Sequence, residues 1–294
     1  NVLDGKAISQ LVQDDVKQQA ADIQNEFGTP PGLAVIIVGT RKDSQTYVRN
    51  KQRACEECGI ASTKHELSEL ATQDQVLSLI EELNSDSSVH GILVQLPLPK
   101  HIDEQTVVGA VLSKKDVDGF HPENVGGLAL RGREPAAMPC TPSGVMEMLR
   151  RAGVECRGKR AVVVGRSNIV GMPMSLMLMH EDATVLMAHS HTDKEDLIEA
   201  LGRADIVVAC AGQAEFIKGG WIKEGSVVID VGMNAVDDDT KKLGYRLVGD
   251  VEFGIAKERA SLITPVPGGV GPMTIAMLMK NTVSAARRQL EGKV

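Results

Sequence analysis

The sequence predicts an α/β fold: open, mostly parallel sheets divided between two domains. Three observations lead there. Short apolar runs alternate with amphipathic helical patterns along nearly the whole chain. The runs are continuous Val/Ile/Leu stretches rather than alternating ones, as in parallel strands covered on both faces. A length of 294 residues suits about two domains with ample core.

In chain order, the runs at 33–38, 91–96, 161–164, 183–188, 206–210, 227–231 and 262–263 read as strands. Helical patterns at 3–23, 44–58, 72–83, 172–180, 193–201 and 273–290 lie between or beyond them. The polar, Pro-containing stretch 131–142 precedes a helix and a fresh strand, which makes it the natural domain boundary. The last helix could dock on either domain. Methionines between Met172 and Met187 recur at helical spacing and read as core filling.

Composition excludes several classes of function. Thirty-two Lys and Arg against 39 Asp and Glu leave a net charge of −7, with no basic cluster, so nucleic acid is not an expected partner. Aromatic residues make up only 2%, too few for base-stacking platforms. No apolar run approaches the roughly 20 residues that span a bilayer, so no membrane association is expected. The five cysteines are scattered and fit a reducing compartment. The expected location is the cytoplasm, or an organellar matrix after removal of a targeting segment. Cys55 and Cys58 form a C-x-x-C inside a helical pattern without a second ligand pair, so no metal site is expected.

The densest signal is Thr264-Pro265-Val266-Pro267-Gly268-Gly269-Val270-Gly271-Pro272-Met273-Thr274. Its prolines remove backbone donors and its glycines permit close approach, so the segment is expected to be irregular. Irregular backbone between two buried elements lines a site, or else it is a turn with Pro272 opening the last helix. A second signal follows the strand 161–164: Gly165-Arg166-Ser167, then Gly171 at the start of a helix. A glycine there lets helix N–H groups face a pyrophosphate, although Ser167 stands where G-x-G-x-x-G has glycine. The next strand ends at His189-Ser190-His191, without the acidic residue that holds the ribose hydroxyls of NAD. Arg166 and Ser190 could meet a 2′-phosphate, which favours NADP.

In the first half, Tyr47, Lys51, Cys55 and Cys58 share one helix face. Lys51 reads either as a functional amine or as a lysine snorkelling from the edge of that stripe. Gln95 closes the run Gly91-Ile92-Leu93-Val94 at a strand C-terminus, where ligands of open α/β sheets bind. Asp116 and Asp118 stand in a turn-rich loop, and at most one is needed to bind a polar substrate edge.

Together, Tyr47-x-x-x-Lys51, Gln95-Leu96-Pro97-Leu98-Pro99, Asp116-Val117-Asp118-Gly119, Gly165-Arg166-Ser167 and 267–274 resemble the bifunctional methylenetetrahydrofolate dehydrogenase/methenyltetrahydrofolate cyclohydrolase family. The resemblance spans essentially the whole chain. It implies a catalytic domain of residues 1–140 and 273–294, a Rossmann-like NADP domain of 141–272, a folate cleft between them and a homodimer. It implies that NADP oxidises 5,10-methylenetetrahydrofolate and that water opens the methenyl product to 10-formyltetrahydrofolate. Lys51 and Gln95 become the catalytic pair. Tyr47, Val94, Leu96, Asp118, Pro267, Gly268, Gly269, Val270, Gly271, Pro272, Met273 and Thr274 become substrate-binding residues. Gly165, Arg166, Ser167, Ser190 and Met233 become NADP contacts. Other readings are an NAD-dependent relative, a different two-domain dehydrogenase, and a catalytically silent binding protein.

Overall fold

A computed structural model describes residues 1–241 and 244–293, the side chains of residues 42 and 43 excepted. The chain forms two compact units. One holds residues 10–140 and 275–294, the other residues 1–9 and 141–274.

The first unit follows the order α1 (Gly5–Phe27), β1 (Gly32–Val38), α2 (Lys42–Cys58), β2 (Ala61–Leu67), α3 (Gln73–Ser85), β3 (Gly91–Val94), α4 (Glu104–Ala110) and α5 (Pro122–Ala129). Its three strands are parallel in the order β2-β1-β3. β1 is central and buried throughout, as its apolar run demands. The sequence reading missed β2, because Ala61-Ser62-Thr63-Lys64-His65-Glu66-Leu67 carries no apolar periodicity. An edge strand needs none: its main chain pairs with β1 over seven positions while most side chains stay in solvent. α3 starts on a reciprocal cap between Thr72 and Gln75. It ends against Lys115, whose buried ammonium donates to the carbonyl oxygens of Leu83 (2.9 Å) and Asp86 (2.7 Å). Ile36, Val76, Ile80, Ile92 and Val107 form the core between sheet and helices.

The second unit runs α6 (Cys140–Arg151), β4 (Arg160–Val164), α7 (Gly171–His180), β5 (Thr184–Ala188), α8 (Lys194–Arg203), β6 (Ile206–Ala209), β7 (Val227–Asp230), β8 (Asn234–Asp237), β9 (Tyr245–Val248), α9 (Phe253–Arg259), β10 (Leu262–Ile263) and the first turn of α10 (Val270–Leu290), the rest of which belongs to the first unit. Five parallel strands lie in the order β10-β7-β6-β4-β5, and β8 and β9 pair separately and antiparallel. From β4 the chain winds one way to β5 and the other way to β6 and β7. The β4/β6 border is therefore the switch point of a doubly wound sheet. Buried Val162, Val207, Val228 and Ile263 anchor its core. Among the methionines, Met174 and Met177 are buried as expected, while Met172 and Met179 are exposed.

Three expectations shift. Residues 1–9, expected with the N-terminal domain, group with the second unit: Leu3 N–H donates to the Ile263 carbonyl (2.8 Å) and Ile263 N–H to that of Asn1 (2.9 Å). The terminus thus continues the pairing of a two-residue strand. The last helix starts at Val270, so the end of the Pro/Gly segment is helical after all. Pro272 fits there because first-turn N–H groups have no acceptor within the helix. The helix also crosses the unit boundary after Thr274. Among the described residues, no helix is long and apolar enough to cross a membrane.

His90 is 1% exposed, and its Nδ1 accepts the Gly32 N–H at 2.9 Å. Burial, aided by the nearby Lys115 charge, holds its pKa below the usual 6.5. The neutral ring is therefore the folded form, and its contribution is lost as pH falls below 6.5 and through the lowered value. His90→Asn, which keeps an acceptor for Gly32, should flatten the decline in Tm between pH 7 and pH 5. Parallel melting curves for the two proteins would disprove this role.

Candidate active site

α2 sets the environment of the lysine. Its inner face carries Val48, Lys51, Ala54, Cys55 and Cys58, all buried, while Tyr47 at the edge of the stripe is 37% exposed. Lys51 is 8% exposed and does not snorkel away: its Nζ donates to Gln95 Oε1 at 3.1 Å. Gln95 stands just past β3, and its Nε2 donates to the Leu96 carbonyl at 2.8 Å. That second bond fixes which end of the amide faces the lysine. The carbonyl end can accept from Nζ whether or not the amine is charged. Val94 is buried on one side of Gln95 and Leu96 is half-buried on the other. Along the same helix, burial pushes the Cys55 thiol up to about 12 and Cys58 to about 11. Both are protonated helix-packing residues.

The two aspartates divide their work. Asp116 is 5% exposed and saturated: Oδ1 accepts Gly119 N–H (2.9 Å), and Oδ2 accepts His121 N–H (2.8 Å) and Asn124 Nδ2 (2.8 Å). It shapes the loop and has little left for a ligand. Asp118, half-buried, lies where the Lys51 charge acts on it. Burial raises its carboxyl to about 6; Lys51 opposes that shift, Asp116 adds to it, and the Cys140 thiol hydrogen-bonds the charged form. Cys140 also donates to the Val117 carbonyl at 3.3 Å. Asn281, on α10, donates to the carbonyls of Val117 and Met138, each at 2.9 Å. Neither Cys140 nor Asn281 was singled out by sequence. Their positions 140 and 281 lie far from Asp118 in the chain, and only packing brings them to its loop.

A second constellation lies at the β4/β6 switch point of the other unit. Gly165 has φ 139°, and a Cβ there would sit 2.3 Å from the Cys210 carbonyl oxygen. A Cβ on Gly171 would come 2.2 Å from the Gly165 carbonyl oxygen. These glycines let β4, its turn and α7 pack on one another, which is what the dinucleotide fingerprint requires. Ser167 Oγ accepts N–H groups of Val170 (3.2 Å) and Gly171 (3.4 Å), so it braces the turn. Arg166 and Ser190 are exposed beyond β4 and β5, and Met233 is 46% exposed beyond β7. Asp193, the first carboxylate after β5, caps α8 through the N–H groups of Glu195 and Asp196. Both of those bonds use Oδ1.

The Pro/Gly segment belongs to this second unit. A turn covers 266–268, and Thr274 shares a 2.9 Å hydroxyl contact with Thr141 on α6. Lys51, Gln95 and Asp118 are in the first unit.

These two constellations match one set of known proteins. The family profile for the tetrahydrofolate dehydrogenase/cyclohydrolase catalytic domain matches residues 3–118, and that for its NAD(P)-binding domain matches 139–290. The chain belongs to the tetrahydrofolate dehydrogenase/cyclohydrolase family. It is 56% identical to bifunctional protein FolD 2 of Arabidopsis thaliana over 287 residues, 98% of this chain and 95% of that protein. It is also 56% identical to the bifunctional FolD protein of Magnetococcus marinus over 288 residues, 98% of each. The Trypanosoma brucei methylenetetrahydrofolate dehydrogenase-cyclohydrolase, solved with NADP and an inhibitor, superposes with a TM-score of 0.95. That comparison has 47% identity and covers 98% of each chain.

The family's NAD(P)-binding region thus contains the cradle that a Cβ would fill. Gly165→Ala should weaken dinucleotide binding at least tenfold while far-UV circular dichroism stays unchanged. Unaltered binding by titration would show that the close approach at this turn is dispensable.

Proposed function

We infer that the chain carries both activities of its family. It oxidises 5,10-methylenetetrahydrofolate to the 5,10-methenyl form with NADP, then hydrolyses that product to 10-formyltetrahydrofolate. The observation that carries the reading is the Lys51–Gln95 pair, a buried amine held at 3.1 Å by an amide whose direction is itself fixed.

Bound NADP supplies the hydride acceptor. The protein's part in that step is positioning, since hydride transfer needs chiefly two carbons held together. In this reading Gly165 opens the space for the phosphates, Ser167 braces the turn, and Arg166 and Ser190 meet the 2′-phosphate. The run His189-Ser190-His191, without a carboxylate for the ribose hydroxyls, supports NADP over NAD.

Loss of hydride leaves a cationic methenyl bridge. Water attacks its carbon, a proton leaves that water, and the bond to the ring nitrogen breaks as the formyl group forms. Lys51 as the amine accepts the water proton, and as the ammonium it can return one to the departing nitrogen. Gln95 accepts from Nζ throughout and adds no charge that would pin the proton there. Asp118 receives the amino-pyrimidine edge of the pterin, best as the carboxylate, which places folate binding above its pKa of about 6. Tyr47 packs against the pterin, Val94 and Leu96 flank Gln95, and Pro267 to Thr274 complete the folate-binding residues. The family resemblance also supports a homodimer and a cytoplasmic or organellar-matrix location.

Lys51→Met should lower cyclohydrolase activity roughly 100-fold or more, with NADP affinity largely kept. The decay of methenyl absorbance measures the first and a cofactor titration the second; a full cyclohydrolase rate would remove Lys51 from this role. Ser190→Ala should raise KM for NADP about tenfold, the loss of one charge-assisted hydrogen bond, and leave KM for NAD near its original value. Equal changes for both cofactors would contradict the 2′-phosphate contact.

A further inference from the structure

Two buried carboxylates at the C-terminal edge of the five-stranded sheet have no part in the chemistry above. Asp230 closes β7 and Asp250 follows β9; they are 3% and 0% exposed. Asp250 Oδ2 accepts the N–H groups of Ala211 (2.6 Å) and Gly212 (2.9 Å), and its Oδ1 accepts Gln213 N–H and Asn234 Nδ2, both at 2.9 Å. Asp230 in turn accepts the N–H groups of Gly232 (3.0 Å), Asp250 (2.9 Å) and Val251 (2.8 Å). One carboxylate therefore holds the backbone of the other. The fit is close: a Cβ on Gly232 would lie 2.1 Å from Asp250 Oδ1, and one on Gly249 would lie 1.9 Å from Asp230 Oδ2.

The tethered segments are informative. Residues 211–213 leave β6 directly after Cys210, the residue on which Gly165 packs. Gly232 and Asn234 bracket Met233. Asp250 thus fixes the segments that follow β6 and β7, both on the β6 side of the β4/β6 crevice where open α/β sheets bind ligands. None of its four bonds belongs to the ladder joining β6 to β7. Changing it disturbs the loops before it disturbs the sheet.

We propose that Asp250 is a positioning residue for NADP, gathering the segments 211–213 and 232–234 into the shape that receives the dinucleotide. This rests on the reading that the second unit binds NADP. Asparagine is nearly isosteric, yet its amide group must face two N–H donors whichever way it turns. The loops then separate, and the loss falls on cofactor affinity.

The test is steady-state kinetics of the purified full chain, with folding checked by circular dichroism. Asp250→Asn should raise KM for NADP about tenfold or more and leave KM for 5,10-methylenetetrahydrofolate within about twofold. Asn234→Ala removes one donor and spares the backbone bonds, so it should raise KM for NADP about threefold. A merely structural role would lower the active fraction, depressing kcat with both KM values unchanged, and that result overturns the proposal. If Asp250→Asn does not fold, Asn234→Ala decides, and an unchanged KM for NADP overturns the proposal there too. Wild-type protein that oxidises the substrate with no dependence on NADP would sink the cofactor reading itself, and the proposal with it.

Discussion

Both units depend on buried carboxyl groups whose oxygens are met by main-chain N–H groups. Asp116 in the first unit, and Asp230 and Asp250 in the second, are each buried and accept from backbone amides. An unpaired charge in such a place would be expensive. Amide donors satisfy it without the side-chain entropy of a lysine or arginine partner. They also have fixed directions, so a carboxylate that satisfies several of them dictates the path of a loop. The loops concerned are those beyond strand C-termini, where an α/β sheet keeps its ligands.

This organisation explains a division between residues that act and residues that place them. Asp116 and Asp118 are two positions apart, yet one is consumed by its own loop and the other keeps a perturbed carboxyl near Lys51. Gln95 behaves alike on a smaller scale, spending its amide NH2 on the Leu96 carbonyl so that its oxygen is aimed at the lysine. Each functional group is oriented by a neighbour bound to the backbone rather than by a second flexible side chain.

Much of this was legible in the sequence. The helix stripe put Lys51 on the less polar face of its helix, with snorkelling left open, and the strand-glycine-helix order made Gly165 a phosphate-binding turn, because both signals are local. What escaped depends on tertiary pairing. β2 is a strand through its partner's backbone, with no apolar pattern of its own. The antiparallel pair β8 and β9 is only four residues long on each side, too short for a pattern to show. Residues 1–9 belong with β10 through main-chain bonds that no composition reveals. Asp230 did carry a faint signal, a carboxylate at the end of the buried run Val227-Val228-Ile229, but its partner Asp250 is 20 residues on. The helical start of α10 was hidden by Gly271 and Pro272, which a first turn tolerates.

The state of the thiols bears on how such a site can be blocked. Cys140 borders Asp118, and burial followed by the carboxylate's charge pushes its pKa far above the ordinary thiol value. Cys55, Cys58, Cys156 and Cys210 are all displaced in the same direction by burial. The thiolate is the reactive species, so near neutral pH these sulfurs are poor nucleophiles. A thiol-directed electrophile aimed at Cys140 would therefore react slowly near neutral pH.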